Sequence, residues 1–158
     1  MWKAGKIAAL TFVVLPVLAE RAQLATGPVS GPAQEGCTLI VNVTGARNTK
    51  GGVGGLLFKN TDGWPENRDK AFVRGTFPIS GTRSTLTFDH IPAGQYGLVI
   101  LHDENMNHKL DRNFLTIPKE GFAFGNNPHV GLTAPKMKDA MVNVSCPVTQ
   151  VELHLLYK

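Results

Sequence analysis

The sequence predicts an all-β fold, a single antiparallel β-sandwich of about seven strands that carries one long, functional-looking loop. Three observations predict it: short apolar segments alternate with a period of two, turns rich in Gly, Pro and Asn separate them, and no segment shows a helical period. Strands that follow one another through short turns favour an antiparallel sandwich over an α/β sheet. The 158 residues divide into a signal peptide at 1–19, a flexible linker at 20–36 and the sandwich domain at 37–158.

The N-terminus opens with Lys3 and Lys6, runs through apolar Ile7 to Leu18 and reaches a cleavage-type site at Val17-Leu18-Ala19, the pattern of a signal peptide. The run falls short of the roughly 20 apolar residues of a comfortable membrane span, although an uncleaved N-terminal anchor is the alternative. No cysteine follows the cleavage region, so lipoprotein processing is not expected. The expected destination is the periplasm or the outside of the cell, with no stable membrane span after cleavage. Cleavage after Ala19 takes Lys3 and Lys6 and no acid from the 16 basic and 12 acidic residues, leaving 14 against 12 and a charge of +2. There is no basic block with interleaved aromatics, so no nucleic-acid partner is expected.

From Glu20 to Gly36 the composition turns to Ala, Gly, Pro, Gln and Ser without periodicity, which reads as a linker. Thr38 to Thr44 is the first strand, with Leu39, Val41 and Val43 inward. Gly45 to Gly52 is a turn, and Val53 to Lys59 is expected to fold back as a hairpin on the first strand. The glycines of that turn, with Arg47 and Lys50, lack phosphate-loop order, and no helix follows them. Asn60 to Asp69 is polar and turn-rich around Trp64, and Ala71 to Ile79 is a short strand or strap. Ser84 to Asp89 alternates, with Leu86 and Phe88 inward. After a tight turn at Ile91-Pro92-Ala93-Gly94, Gln95 to Leu101 places Tyr96, Leu98 and Ile100 on one face and Val99 and Leu101 on the other. A strand apolar on both faces is the central one. Pro128 to Lys138 is a loop, and Ala140 to Ser145 and Thr149 to Tyr157 are closing strands about a turn at Pro147. Val151, Leu153, Leu155 and Tyr157 point inward in the last.

Cys37 and Cys146 are the only cysteines, each at the edge of a predicted strand, and an exported chain reaches an oxidising compartment. A bridge joining the first strand to the penultimate one is expected; two unpaired buried thiols are the alternative. A redox pair would more often show C-x-x-C spacing.

The chemistry concentrates between Leu101 and Asn127. Asp103, Asn105, Asn107 and Asp111 form D-x-N-x-N-x-x-x-D, which matches positions one, three, five and nine of an EF-hand-type loop, and Lys109 at position seven would offer its carbonyl. Alternate oxygen-bearing residues in a tight loop converge on one point, as a hard cation with six to eight oxygen ligands requires. Calcium is therefore the expected cofactor. His108 stands where position six normally has glycine, and Phe114 where position twelve has a bidentate glutamate, so Glu120, Asn113 or Glu104 would supply the missing ligand. The alternatives are an asparagine-rich loop folded by its own Asx-turns without an ion, and a zinc site through His102 and His108. Phe122 and Phe124, set between glycines and followed by Asn126 and Asn127, suit either a surface for a protein or carbohydrate ligand or a pair of anchors that pin the loop.

The stretch LTFDHIPAGQYGLVILHDENMNHKLDRNFLTIPKEGFAFGNN and the closing strands resemble the bacterial exported family labelled domain of unknown function 2141. The resemblance rests on His102 to Asn105, Asn107, Leu110-Asp111, Asn113, Pro118, Glu120-Gly121, Phe124 and Asn126-Asn127, and it spans Cys37 to Lys158. That family usually has glycine near Met106 and His108 and at Thr116 and Ala123, which implies a stiffer loop here. The turn from Ile91 to Tyr96 is similar to that of transthyretin-like and collagen-adhesin B-type sandwiches, at the level of fold alone. The resemblance implies no activity. Three functions are expected to compete: a non-enzymatic module binding calcium or a small ligand through Asp103 to Asn113, a metal-free structural or interaction domain, and a hydrolase using Asp103, Glu104, Asp111 or His102.

Overall fold

The computed structural model describes residues 36–131 and 133–158; the signal-peptide reading and all of the linker reading except Gly36 lie outside them. Eight strands form two sheets: β1 (Cys37–Thr44), β2 (Gly52–Phe58), β3 (Val73–Phe77), β4 (Arg83–Ile91), β5 (Gly94–Asp103), β6 (Gly121–Phe124), β7 (Met141–Val144) and β8 (Val148–His154). One sheet has the order β4-β1-β8, the other β3-β2-β5-β6 with β7 also on β5. All pairings are antiparallel except that of β1 with β8. The fold is thus the expected sandwich, and the described residues hold two short 3-10 turns, Arg68–Lys70 and Met137–Ala140, and no α-helix.

β5 is central, as its two apolar faces predict. β2 covers one edge from Gly97 to Asp103, while β7 and β6 take successive parts of the other, Gly97 facing Phe58 on one side and Met141 on the other. Tyr96, Leu98 and Ile100 enter the core between the sheets with Leu39, Val41, Val43, Leu86 and Leu153. Val99 faces outward into a second cluster with Phe58, Phe122, Phe124, Val130 and Met137, roofed by Trp64. The Trp64 indole donates to the Pro135 carbonyl at 3.0 Å, which ties two covering loops together over that outer face.

The expected hairpin of Thr38 to Thr44 with Val53 to Lys59 does not form. β1 pairs with β4 and β8, and β2 sits in the opposite sheet between β3 and β5. The segment 45–51 therefore crosses between sheets. The last two strands likewise lie in different sheets, joined through the corner at Pro147. β6 adds a strand beyond the seven read from sequence; all four of its residues are buried, so it lacks the alternation that marks a half-exposed strand. The expected bridge is present between Cys37 and Cys146, 109 residues apart.

Candidate functional site: a carboxylate-cored loop beside an apolar cleft

β5 ends at Asp103 and β6 begins at Gly121, so the seventeen residues between them are tethered at both ends to adjacent strands of one sheet. Two buried carboxylates organise this loop. Asp103, 1% exposed, accepts the backbone N–H groups of Asn107 at 3.0 Å and His108 at 2.7 Å. Glu120, 4% exposed, accepts those of Glu104 at 2.9 Å and Asp111 at 3.0 Å, clamping the two ends of the polar run. A carboxylate that takes two N–H groups offsets its own desolvation and satisfies backbone donors that the loop would otherwise bury unpaired.

The asparagines act as local folders. Asn105 Oδ1 accepts from Asn107 N at 3.1 Å, and Asn107 Oδ1 accepts from Lys109 N at 2.8 Å. These Asx-turns point both amide N–H₂ groups at Asp111, which accepts them at 2.7 and 3.0 Å. Met106 and His108 hold left-handed backbone, φ 61° and 62°, as does Thr116 at 63°. The resembling family usually has glycine near the first two of these and at the third; Ala123, the fourth such position, lies within extended β6. The sixth position thus makes its sharp turn without the glycine.

The sequence-read ligand set, Asp103, Asn105, Asn107, Lys109, Asp111 and Glu120, is gathered in this one loop, with its side-chain oxygens on N–H groups. Among the described residues no three His, Cys, Asp or Glu side chains group as metal ligands. Each Asp103 oxygen keeps acceptor capacity beyond its one hydrogen bond. The Asn105 and Asn107 amides, however, present donors to Asp111 where a cation would need their oxygens. The donor set fits calcium only if those two amides give up Asp111.

The zinc alternative meets a different obstacle. His102 is fully buried; its Nε2–H donates to the Lys50 carbonyl at 3.0 Å, and its Nδ1 accepts from the Tyr157 hydroxyl at 2.7 Å. A carbonyl can only accept, which fixes that tautomer and occupies both nitrogens. His108 lies with its Nδ1 3.5 Å from Asp103.

Three residues that the sequence reading did not assign to the loop hold it from outside. Arg47, in the crossing between sheets, pairs with Glu104 at 2.6 Å, donates to the Lys119 carbonyl at 3.0 Å and lies over the Tyr157 ring. Tyr157 accepts from the Arg47 N–H at 3.1 Å while donating to His102. Burial pushes the Tyr157 hydroxyl up; the Arg47 N–H and charge pull it partly back, and Glu104 raises it slightly. Gly121 leaves room for that ring, because a Cβ there would meet it at 2.5 Å. Lys50 contributes only its carbonyl, which no side-chain motif could have announced.

Beyond Asp111 the chain forms a small hairpin. Lys119 N donates to Asp111 O at 2.8 Å, Arg112 bridges to Pro118, and Asn113 N donates to Ile117 O at 2.9 Å. Asn113 Oδ1 also takes the N–H groups of Leu115 and Ile117, so the tip is braced. Its apolar side chains nonetheless face water, Phe114 being 92% and Leu115 60% exposed. Behind it lies a cleft of about 590 Å³, lined by Leu110, Leu115, Ile117, Phe122, Phe124 and Val130 with Arg112, His129 and Lys158 along it. Phe122 and Phe124 are buried anchors in β6 and form its floor.

Residues 41–152 match the family described as "Uncharacterized protein conserved in bacteria (DUF2141)". No curated protein and no solved structure matches the chain.

Proposed function

The chain belongs to the bacterial family DUF2141, and from that premise we propose that it is an exported, non-enzymatic β-sandwich interaction module. In this reading its Asp103–Glu120 loop is a metal-free platform for binding at the adjoining tip and cleft. The observation that carries it is the division of the loop's side chains. Asp103, Asp111 and Glu120 each accept two N–H groups and Glu104 is held by Arg47, while Phe114 and Leu115 stand in water beside an apolar cleft. Carboxylates so engaged are suited to bracing a loop rather than to acid–base work, which supports a binding role over a hydrolase. Export is supported by the signal-type N-terminus together with the disulfide.

Calcium is the second reading, favoured by the left-handed turn of His108 at the sixth position of the D-x-N-x-N run. Thermal melts in millimolar calcium and in chelator separate the two. A metal-free platform gives coincident melts. An ion site at ten times its Kd adds about 1.4 kcal/mol, and Asp103→Ala combined with Asp111→Ala removes that gain.

A further inference from the structure

The acids of the loop turn inward and its bases turn outward. Lys109, Arg112 and Lys119 are exposed, and among the described residues Lys109 and Lys119 carry no ion pair. Arg112 holds Glu66 and donates to the Thr116 carbonyl at 3.2 Å, stiffening the tip. Phe114 and Leu115 project at the end of the hairpin, and Lys119 lies three rungs behind, at the level of Asp111. Three rungs of extended chain are roughly 10 Å. This is a braced, exposed apolar point with Lys119 set back from it, unlike the broad complementary patch of about 800 Å² per partner that a stable protein interface needs.

Resting on the platform reading above, we infer that this tip docks on an anionic lipid bilayer. Phe114 and Leu115 enter the headgroup layer to the roughly 5–10 Å depth usual for interfacial segments, and Lys109 and Lys119 meet the lipid phosphates. No helix among the described residues is long and apolar enough to cross a membrane, and docking of this kind needs none.

The test is co-sedimentation of the chain without its apolar leader at 1–19 with phosphatidylcholine vesicles, with and without phosphatidylglycerol, in chelator and in calcium. Binding that needs phosphatidylglycerol, falls at least about tenfold in F114S/L115S and falls roughly fivefold for each of K109Q and K119Q supports the inference. Both apolar positions are exposed, so an unchanged melt of F114S/L115S ties the loss to docking. Equal binding by that variant, or no sedimentation of the unaltered chain in either medium, overturns it. Sedimentation in calcium alone supports docking but overturns the metal-free platform. Retention on poly-glutamate that survives F114S/L115S, without vesicle binding, assigns the surface to an acidic protein and overturns the lipid assignment.

Discussion

Met106, His108 and Thr116 hold a backbone conformation that costs an L-residue roughly 1–2 kcal/mol, and the loop keeps all three. What over-determines them is the set of N–H groups that Asp103 and Asn113 collect around those positions. Thr116 is the least favoured, being β-branched. Thr116→Gly is expected to stabilise the protein by about 1 kcal/mol, read as a higher urea midpoint at unchanged slope. Tyr157 makes a second prediction. Its hydroxyl titrates higher in the folded chain than the usual tyrosine value of about 10. The folded state then holds that proton more tightly than the unfolded one, so its contribution to stability is complete below pH about 10 and fades as pH rises from there through the folded value. Tyr96 acts in the same direction through burial. Tyr157→Phe should lower stability at neutral pH, because His102 Nδ1 and Arg47 N lose their partner. It should also flatten the alkaline decline. Urea melts at neutral pH and above pH 10 check both.

β1 is where the sandwich is stapled. It lies between β4 and β8, and its first residue carries the bridge to Cys146, just beyond β7 in the opposite sheet. The bond ties the start of β1 to the corner between β7 and β8 across a separation of 109 residues, and the chain-entropy account gives about 4–5 kcal/mol for a loop of that length. Melts with and without reductant should differ by a sum of that order. β6 contributes in another way, since its four buried residues pair with β5, floor the cleft with Phe122 and Phe124, and at Gly121 make space for Tyr157. Sequence could signal the anchoring aromatics but not the strand, because a short run buried on all sides shows no period.

Across the whole molecule, the loop works because segments far apart in the chain converge on it. The crossing at 45–51 supplies Arg47 and the Lys50 carbonyl, and the C-terminus supplies Tyr157. The melts in calcium and chelator, and the vesicle experiment, address this level: the first asks whether the loop takes an ion, the second whether its apolar tip has an anionic bilayer as its partner. Coincident melts with lipid-dependent sedimentation are the expected pair of outcomes.

The sequence by itself determined the sandwich, the inward residues of β1, β4 and β5, the disulfide and the position of the polar loop. Each of these follows from a local period, a turn chemistry or the count of two cysteines. Only the tertiary structure decided that β1 and β2 lie in opposite sheets, because two apolar strands with a turn between them satisfy the hairpin pattern and the crossing equally well. It also decided which way the loop's polar groups face. Aspartate and asparagine accept from a backbone N–H as readily as they ligate a cation, and the N–H contacts they make here depend on Glu120, Arg47 and the path of the chain from Asp103 back to Gly121.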